Sequence, residues 1–124
     1  MIDRLLDSVI LIDHLNDLEP ATAYIKSLDP DKTAVSVITY AEIMVGISGA
    51  DKDTARSFLY QFTILSIEPE IAEKAAELRQ KNRWKLPDAF QAALAVYHHL
   101  RLVTRNTKDF SPERHAFVEI PYTL

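Results

Sequence analysis

The sequence predicts an α/β fold, a three-layer α/β/α sandwich around a mainly parallel central sheet. Two observations predict it. Short apolar or β-branched runs recur along the chain at Arg4, Thr33, Ile64 and Arg101, and between them lie segments with helical spacing or helix-start signals. The chain also has only 2 glycines, no internal repeat and no low-complexity tract, so most of it belongs to regular elements. Strands that alternate with helices pair in parallel and cover both faces of their sheet with helix.

Arg4 to Asp7 reads as a strand running directly into a helix over Ser8 to Leu15, with Val9, Ile12 and Leu15 spaced three apart on one face. Pro20 suits the first turn of a second helix ending near Leu28, followed by a turn at Asp29, Pro30 and Asp31. The β-branched run Thr33 to Ile38 predicts a buried strand. Thr39, followed three residues later by Glu42, has the capping-box pattern of a helix reaching about Gly46. Asp51 or Asp53 can cap a helix through about Phe62, a strand follows over Ile64 to Ile67, and Pro69 opens a helix to about Lys81. Trp84 to Leu86 interrupts. Pro87 then starts an Ala-rich helix reaching His99, which feeds a strand over Arg101 to Thr104, and a last strand is expected over Phe117 to Ile120.

A chain of 124 residues suits one domain, residues 1–124, and its 48% hydrophobic and 26% charged content is that of a folded globular protein. The apolar stretches Val9 to Ile12 and Ala92 to Val96 are too short for a membrane span, and no basic-then-apolar leader is visible. A soluble cytoplasmic protein with no membrane partner is therefore expected. Without cysteine there is no disulfide, thiolate nucleophile or Cys-based zinc site, so a metal would need oxygen or imidazole ligands, and oxygen ligands favour hard cations. The net charge of −4 argues against gripping a nucleic-acid backbone over the whole surface. It leaves a carboxylate metal site open, because a bound divalent ion reverses the local field.

Ligands of a parallel sheet bind beyond the carboxyl ends of its strands. Asp7 is expected at one such end, Glu42 in the first turn of the helix after another, and Asp109 just past a third. Asp88 opens the helix that leads into that third strand. Each acid has an ordinary explanation: Asp7 can cap a helix, Glu42 can complete the capping box with Thr39, and Asp88 can complement a helix dipole. Asn106 and Asp109 fit a simple polar turn. Their joint placement at one sheet edge is what points to metal, since clustered carboxylates repel unless a cation intervenes. Mg²⁺ needs only a few such oxygens, and can polarise a phosphoryl group and lower the pKa of a bound water. Ser8 and Thr104 are supporting polar candidates, although such hydroxyls more often satisfy backbone groups.

Two basic stretches flank the acids, Arg79 to Lys85 and Arg101 to Lys108. Arg83, Trp84, Lys85 and Arg105 are candidate RNA contacts, the cations for phosphate and the indole for stacking on an unpaired base; the competing reading is a solvated loop around a packed Trp.

The segments LLDSVILID from Leu5, ITYAEIMVGI from Ile38, LPDAFQAALA from Leu86 and LVTRNTKDF from Leu102 resemble, in that order, the motifs of the PIN-domain nucleases, particularly the VapC-type toxins of toxin–antitoxin pairs. The resemblance spans almost the whole chain. It implies that Asp7, Glu42 and Asp88 bind metal; the family's further acid falls at the position of Asn106 or of Asp109, and both are expected to take part, Asn106 through its amide oxygen or by holding a water. It also implies endonucleolytic RNA cleavage with Mg²⁺ or Mn²⁺, a cognate antitoxin and a homodimer. A phosphoryl-accepting receiver domain is a rival small α/β fold, with Thr104 and Lys108 available to it. However, the strand from Thr33 is followed by Thr39, Tyr40 and Ala41 where the phosphoacceptor Asp should stand. A non-catalytic module with the same fold is the other alternative.

Overall fold

Alternation along the strands builds two cores at once. In a strand, neighbouring side chains point to opposite faces, and the pairs Leu5/Leu6, Ala34/Val35 and Leu102/Val103 divide accordingly. Leu5, Ala34 and Leu102 join one buried cluster, and Leu6, Val35 and Val103 the other. A strand buried on both sides reads as a continuous apolar run, which is how a parallel sheet is written in sequence.

The structure, a computed structural model, describes residues 1–124. Strands β1 (Arg4–Leu6), β2 (Thr33–Ser36), β3 (Thr63–Leu65), β4 (Arg101–Val103) and β5 (Val118–Glu119) form one sheet in the order β3-β2-β1-β4-β5, with every pairing parallel. Helices α1 (Ser8–Leu15), α2 (Glu19–Lys26), α3 (Val37–Val45) and α4 (Asp51–Leu59) connect β1 to β2 and β2 to β3. Helices α5 (Pro69–Asn82) and α6 (Leu86–Tyr97) carry the chain from β3 across to β4. Right-handed crossovers put connections running in opposite directions on opposite faces. Ile10, Leu11, Ile43 and Leu59 of α1, α3 and α4 thus pack on the Leu6 side, and Ile71, Ala75, Ala92 and Leu94 of α5 and α6 on the Leu5 side. This is the three-layer sandwich. The direction of winding reverses between β1 and β4, which opens a crevice at Asp7, just past the end of β1.

Several local expectations shift. Strand β2 stops at Ser36, not Ile38, because Ser36 is the true cap of α3: it is extended (φ −87°, ψ 161°) and its hydroxyl accepts the Thr39 N–H at 3.0 Å. The Thr39–Glu42 capping box therefore does not form, and Glu42 stands in the second turn of α3, not the first. On α1 the buried face carries Ile10, Leu11 and Asp13, while Ile12 and Leu15 are left exposed. Asp7 caps this helix directly after β1, so the strand sets the helix phase and overrides the three-residue apolar spacing. Strand β3 begins at Thr63 and ends at Leu65, and β5 is only 2 residues long. No helix is long and apolar enough to cross a membrane.

Helix α5 ends on Arg83 in the left-handed conformation (φ 59°), where its N–H reaches the Arg79 carbonyl. A side chain there is strained, and glycine relieves the strain. Arg83→Gly is expected to stabilise the fold by about 1 kcal/mol, a rise of roughly 4 °C in Tm. A thermal melt showing an unchanged or lower Tm would contradict this.

Candidate metal centre

Four acids approach one another at the carboxyl edge of the sheet. Asp7 is buried. Its Oδ1 accepts the Ser8 N–H at 2.9 Å and a Gln91 side-chain N–H at 3.2 Å, and its Oδ2 accepts the Thr104 hydroxyl at 2.8 Å. The Asp7 N–H donates to the Val103 carbonyl, which keeps the ends of β1 and β4 in step and sets Thr104 beside Asp7. Glu42 comes from α3. Partial burial, then the charge of Asp7, raise its pKa, and the nearby Ser8 hydroxyl opposes them. Asp88 lies in the first turn of α6, half-buried. Burial and then the charges of Asp7, Asp109 and Glu42 push its pKa up to about 6, against a weaker opposing influence from Lys85. Asp88 thus senses each of the other three acids, and Lys85 stands within electrostatic reach of Asp88.

The turn after β4 supplies the fourth acid. The Asn106 side-chain amide donates to Asp109 Oδ2 at 3.0 Å, and the Asn106 amide oxygen accepts the Asp109 N–H at 3.3 Å. The Asn106 N–H in turn donates to Thr104 Oγ1 at 3.1 Å. Asn106 is therefore occupied in holding Asp109, whose charge is felt at Asp88.

The donors fit a hard divalent cation: all are oxygens, they come from four separate elements, and their crowding disfavours the charged state in the absence of a counter-ion. As placed, no group of three or more His, Asp or Glu side chains is close enough together to hold a metal ion.

Two expected RNA contacts are placed elsewhere. Trp84 is buried, not exposed: its indole N–H donates to the Asp109 carbonyl at 3.0 Å, and its ring packs between Phe110 and His115. An indole held on both sides cannot stack on a base, and it supports the turn that carries Asp109. Arg105 grips Asp13 of α1 with two hydrogen bonds, Nε to Oδ2 at 2.8 Å and Nη2 to Oδ1 at 2.9 Å, so its guanidinium is committed inside the molecule. Arg83 and Lys85 are exposed, and Lys85 acts on Asp88. The sequence reading missed Gln91 and Asp13. Gln91 lies three residues after Asp88, a spacing that shares one helix face, and this was the only signal for it. Asp13 and Arg105 are too far apart in sequence for any local pattern.

Carboxylates from four elements, converging beyond the strands of a parallel sheet without cysteine or histidine among them, define an α/β/α protein with an acidic cluster at its sheet edge. The PIN-domain family model matches residues 4–112, a span holding all four acids, and the chain belongs to this family. It is 31% identical over 112 residues to Ribonuclease VapC10 of Mycobacterium tuberculosis, covering 86% of this chain and 84% of that protein. A toxin–antitoxin complex from Klebsiella pneumoniae contains a chain of the same fold, with 38% identity and a TM-score of 0.88 over 98% of this chain and 100% of that one. FitAcB from Neisseria gonorrhoeae superposes with a TM-score of 0.79 at 27% identity, over 98% of each chain.

Proposed function

We propose that this protein is a metal-dependent endoribonuclease, acting as one cytoplasmic domain and as the toxin of a toxin–antitoxin pair. The observation that carries the proposal is the environment of Asp88, which feels Asp7, Asp109 and Glu42 at once. Asp7, Glu42, Asp88 and Asp109 would hold Mg²⁺, with Mn²⁺ as a substitute, and Asn106 would position Asp109 rather than bind the ion itself. When bound, the ion polarises the scissile phosphodiester and lowers the pKa of water. The chain's own residues do the rest. Thr104 and Gln91 hold Asp7 in place, and exposed Arg83 and Lys85 receive the RNA phosphates. The family and the likeness to VapC10 support RNA as the substrate.

A cognate antitoxin is the proposed partner, supported by the likeness to the Klebsiella pneumoniae complex. A cavity of about 600 Å³ between α1, α3 and α4, with Ile12, Leu15, Ile43 and Ile47 in its walls, borders Glu42. It offers an apolar seat from which a partner's Arg can pair with the carboxylates in place of the metal. A homodimer is also proposed, since Val37 and Val45 expose an apolar stripe on α3.

The test incubates purified protein with single-stranded and structured RNA, with Mg²⁺ or with EDTA, beside growth assays of cells expressing wild type or Asp7→Asn. Cleavage only with Mg²⁺, and growth arrest only with wild type, are expected. Cleavage that persists in EDTA ends the metal-nuclease reading; a wild type harmless to cells ends the toxin reading alone.

A further inference from the structure

We propose that Gln91 is the residue through which this centre selects Mg²⁺ against Ca²⁺, by closing one oxygen of Asp7 and leaving the other to bind a single metal bond. The proposal rests on the metal-centre reading above and deepens it.

An ionised carboxylate has about four lone-pair sites, two on each oxygen. Both sites on Asp7 Oδ1 are taken, by the Ser8 N–H and by Gln91 Nε2, whereas Oδ2 accepts only the Thr104 hydroxyl. One site remains, on Oδ2. Ca²⁺ takes six to eight oxygens at about 2.3–2.6 Å and commonly uses a carboxylate through both oxygens, while Mg²⁺ demands an octahedron of single contacts near 2.0–2.1 Å. Closing Oδ1 therefore costs Mg²⁺ nothing and denies Ca²⁺ a bidentate ligand.

Gln91 cannot turn away from this task. Its side chain is 1% exposed. Ser36 Oγ accepts the Thr39 N–H, which leaves its own proton to donate to Gln91 Oε1 at 2.6 Å. The second Gln91 N–H donates to Thr39 Oγ1 at 2.9 Å. A flipped amide would aim its oxygen at the acceptor-only Asp7 carboxylate, whereas the Ser36 and Thr39 hydroxyls can bond either orientation, so it is Asp7 that selects the orientation in which Gln91 donates to it. The cap of α3 holds the amide in place, and the amide fixes Asp7. The same face of α6 that offers Asp88 to the ion restricts how Asp7 meets it.

Calorimetric titration of the metal-free protein with Mg²⁺ and with Ca²⁺ tests this in wild type, Gln91→Met and Asp88→Asn. Methionine keeps the length of the side chain and removes the donors. The expected result is a rise of about tenfold in the ratio of Ca²⁺ to Mg²⁺ affinity in Gln91→Met, the scale of effects from residues that orient metal ligands. An unchanged ratio, with Mg²⁺ binding lost in Asp88→Asn, overturns the role of Gln91 and leaves the metal centre standing. A wild type that binds neither ion overturns both. Should Gln91→Met fail to fold, NMR of the wild type decides. Gln91 side-chain amide protons that stay protected from exchange when Mg²⁺ binds support the proposal, and loss of their protection on Mg²⁺ binding overturns it.

Discussion

Asp88→Asn is expected to reduce RNA cleavage by more than about a hundredfold, beyond the losses seen when residues behind a metal ligand are changed, and at the same time to make the metal-free protein more stable. The two effects share a cause. In the folded chain Asp88 is pushed up to about 6 from 3.8, first by burial and then by Asp7, Asp109 and Glu42. A carboxyl whose pKa is raised on folding contributes stability that is complete below its unfolded pKa and is lost as pH rises through the folded one. At neutral pH the ionised side chain therefore opposes folding, and asparagine removes that opposition. Because Asp88 is only half-buried, solvent screening reduces the gain to about 1 kcal/mol, roughly 4 °C in Tm. Melts in EDTA should show the variant above wild type at pH 7.5, with the gap closing as pH falls below about 4. With saturating Mg²⁺ the order should reverse, since only wild type keeps the full ligand set. A variant no more stable than wild type in EDTA at pH 7.5 would show that the acids do not strain one another. Such opposition between activity and stability is expected of a site built to hold like charges until a cation arrives.

The gathering of the acids at one edge was legible because it follows a rule of topology. Asp7 ends one predicted strand and Asp109 follows another after a short turn, and a parallel sheet gathers the residues past its strand ends at one edge. The order of the strands was not written locally: that β1 lies between β2 and β4 depends on packing across the whole chain. Helix phase was misread on α1 for a similar reason, since capping by Asp7 fixes which residues face inward before apolar spacing has any say. On α3, Ser36 and Thr39 are both plausible caps, and the choice falls on Ser36, whose hydroxyl also serves Gln91. Gln91 had only its spacing from Asp88 to mark it, because a glutamine in an Ala-rich helix is a good helix former wherever it points. Trp84 misled in the opposite direction: flanked by Arg83 and Lys85 it reads as surface, yet the left-handed turn at Arg83 ends α5 and the ring packs into the core cluster of Phe110.

Arg105→Ala is expected to destabilise the fold by about 3 kcal/mol, a fall of roughly 10 °C in Tm. Asp13, with its side chain 6% exposed, has both oxygens on Arg105, and Oδ2 also accepts the Tyr122 hydroxyl at 2.8 Å. Arg105 chiefly, with Tyr122, holds the Asp13 carboxyl below its usual pKa in spite of burial. A depressed carboxyl contributes stability above its unfolded pKa and loses it as pH falls through the folded one, so the wild-type pair should weaken only in strong acid. Without Arg105 the buried carboxylate keeps one phenol donor and no counter-charge, and its pKa rises. The variant should then be least stable near neutrality and approach wild type below about pH 4, as the carboxyl takes up a proton. Arg105→Lys should recover only part of the loss, because an ammonium cannot span both oxygens. Adding Asp13→Asn to Arg105→Ala should recover part as well, by removing the stranded charge. If the double variant melts as low as the single one, the loss comes from packing of the turn after β4, not from the charge. The pair joins α1 to the start of the turn bearing Asn106 and Asp109, and Tyr122 ties the C-terminal segment to the same point. The Asp13–Arg105 clamp therefore sets both the stability of this edge of the sheet and the position from which the fourth acid acts on Asp88.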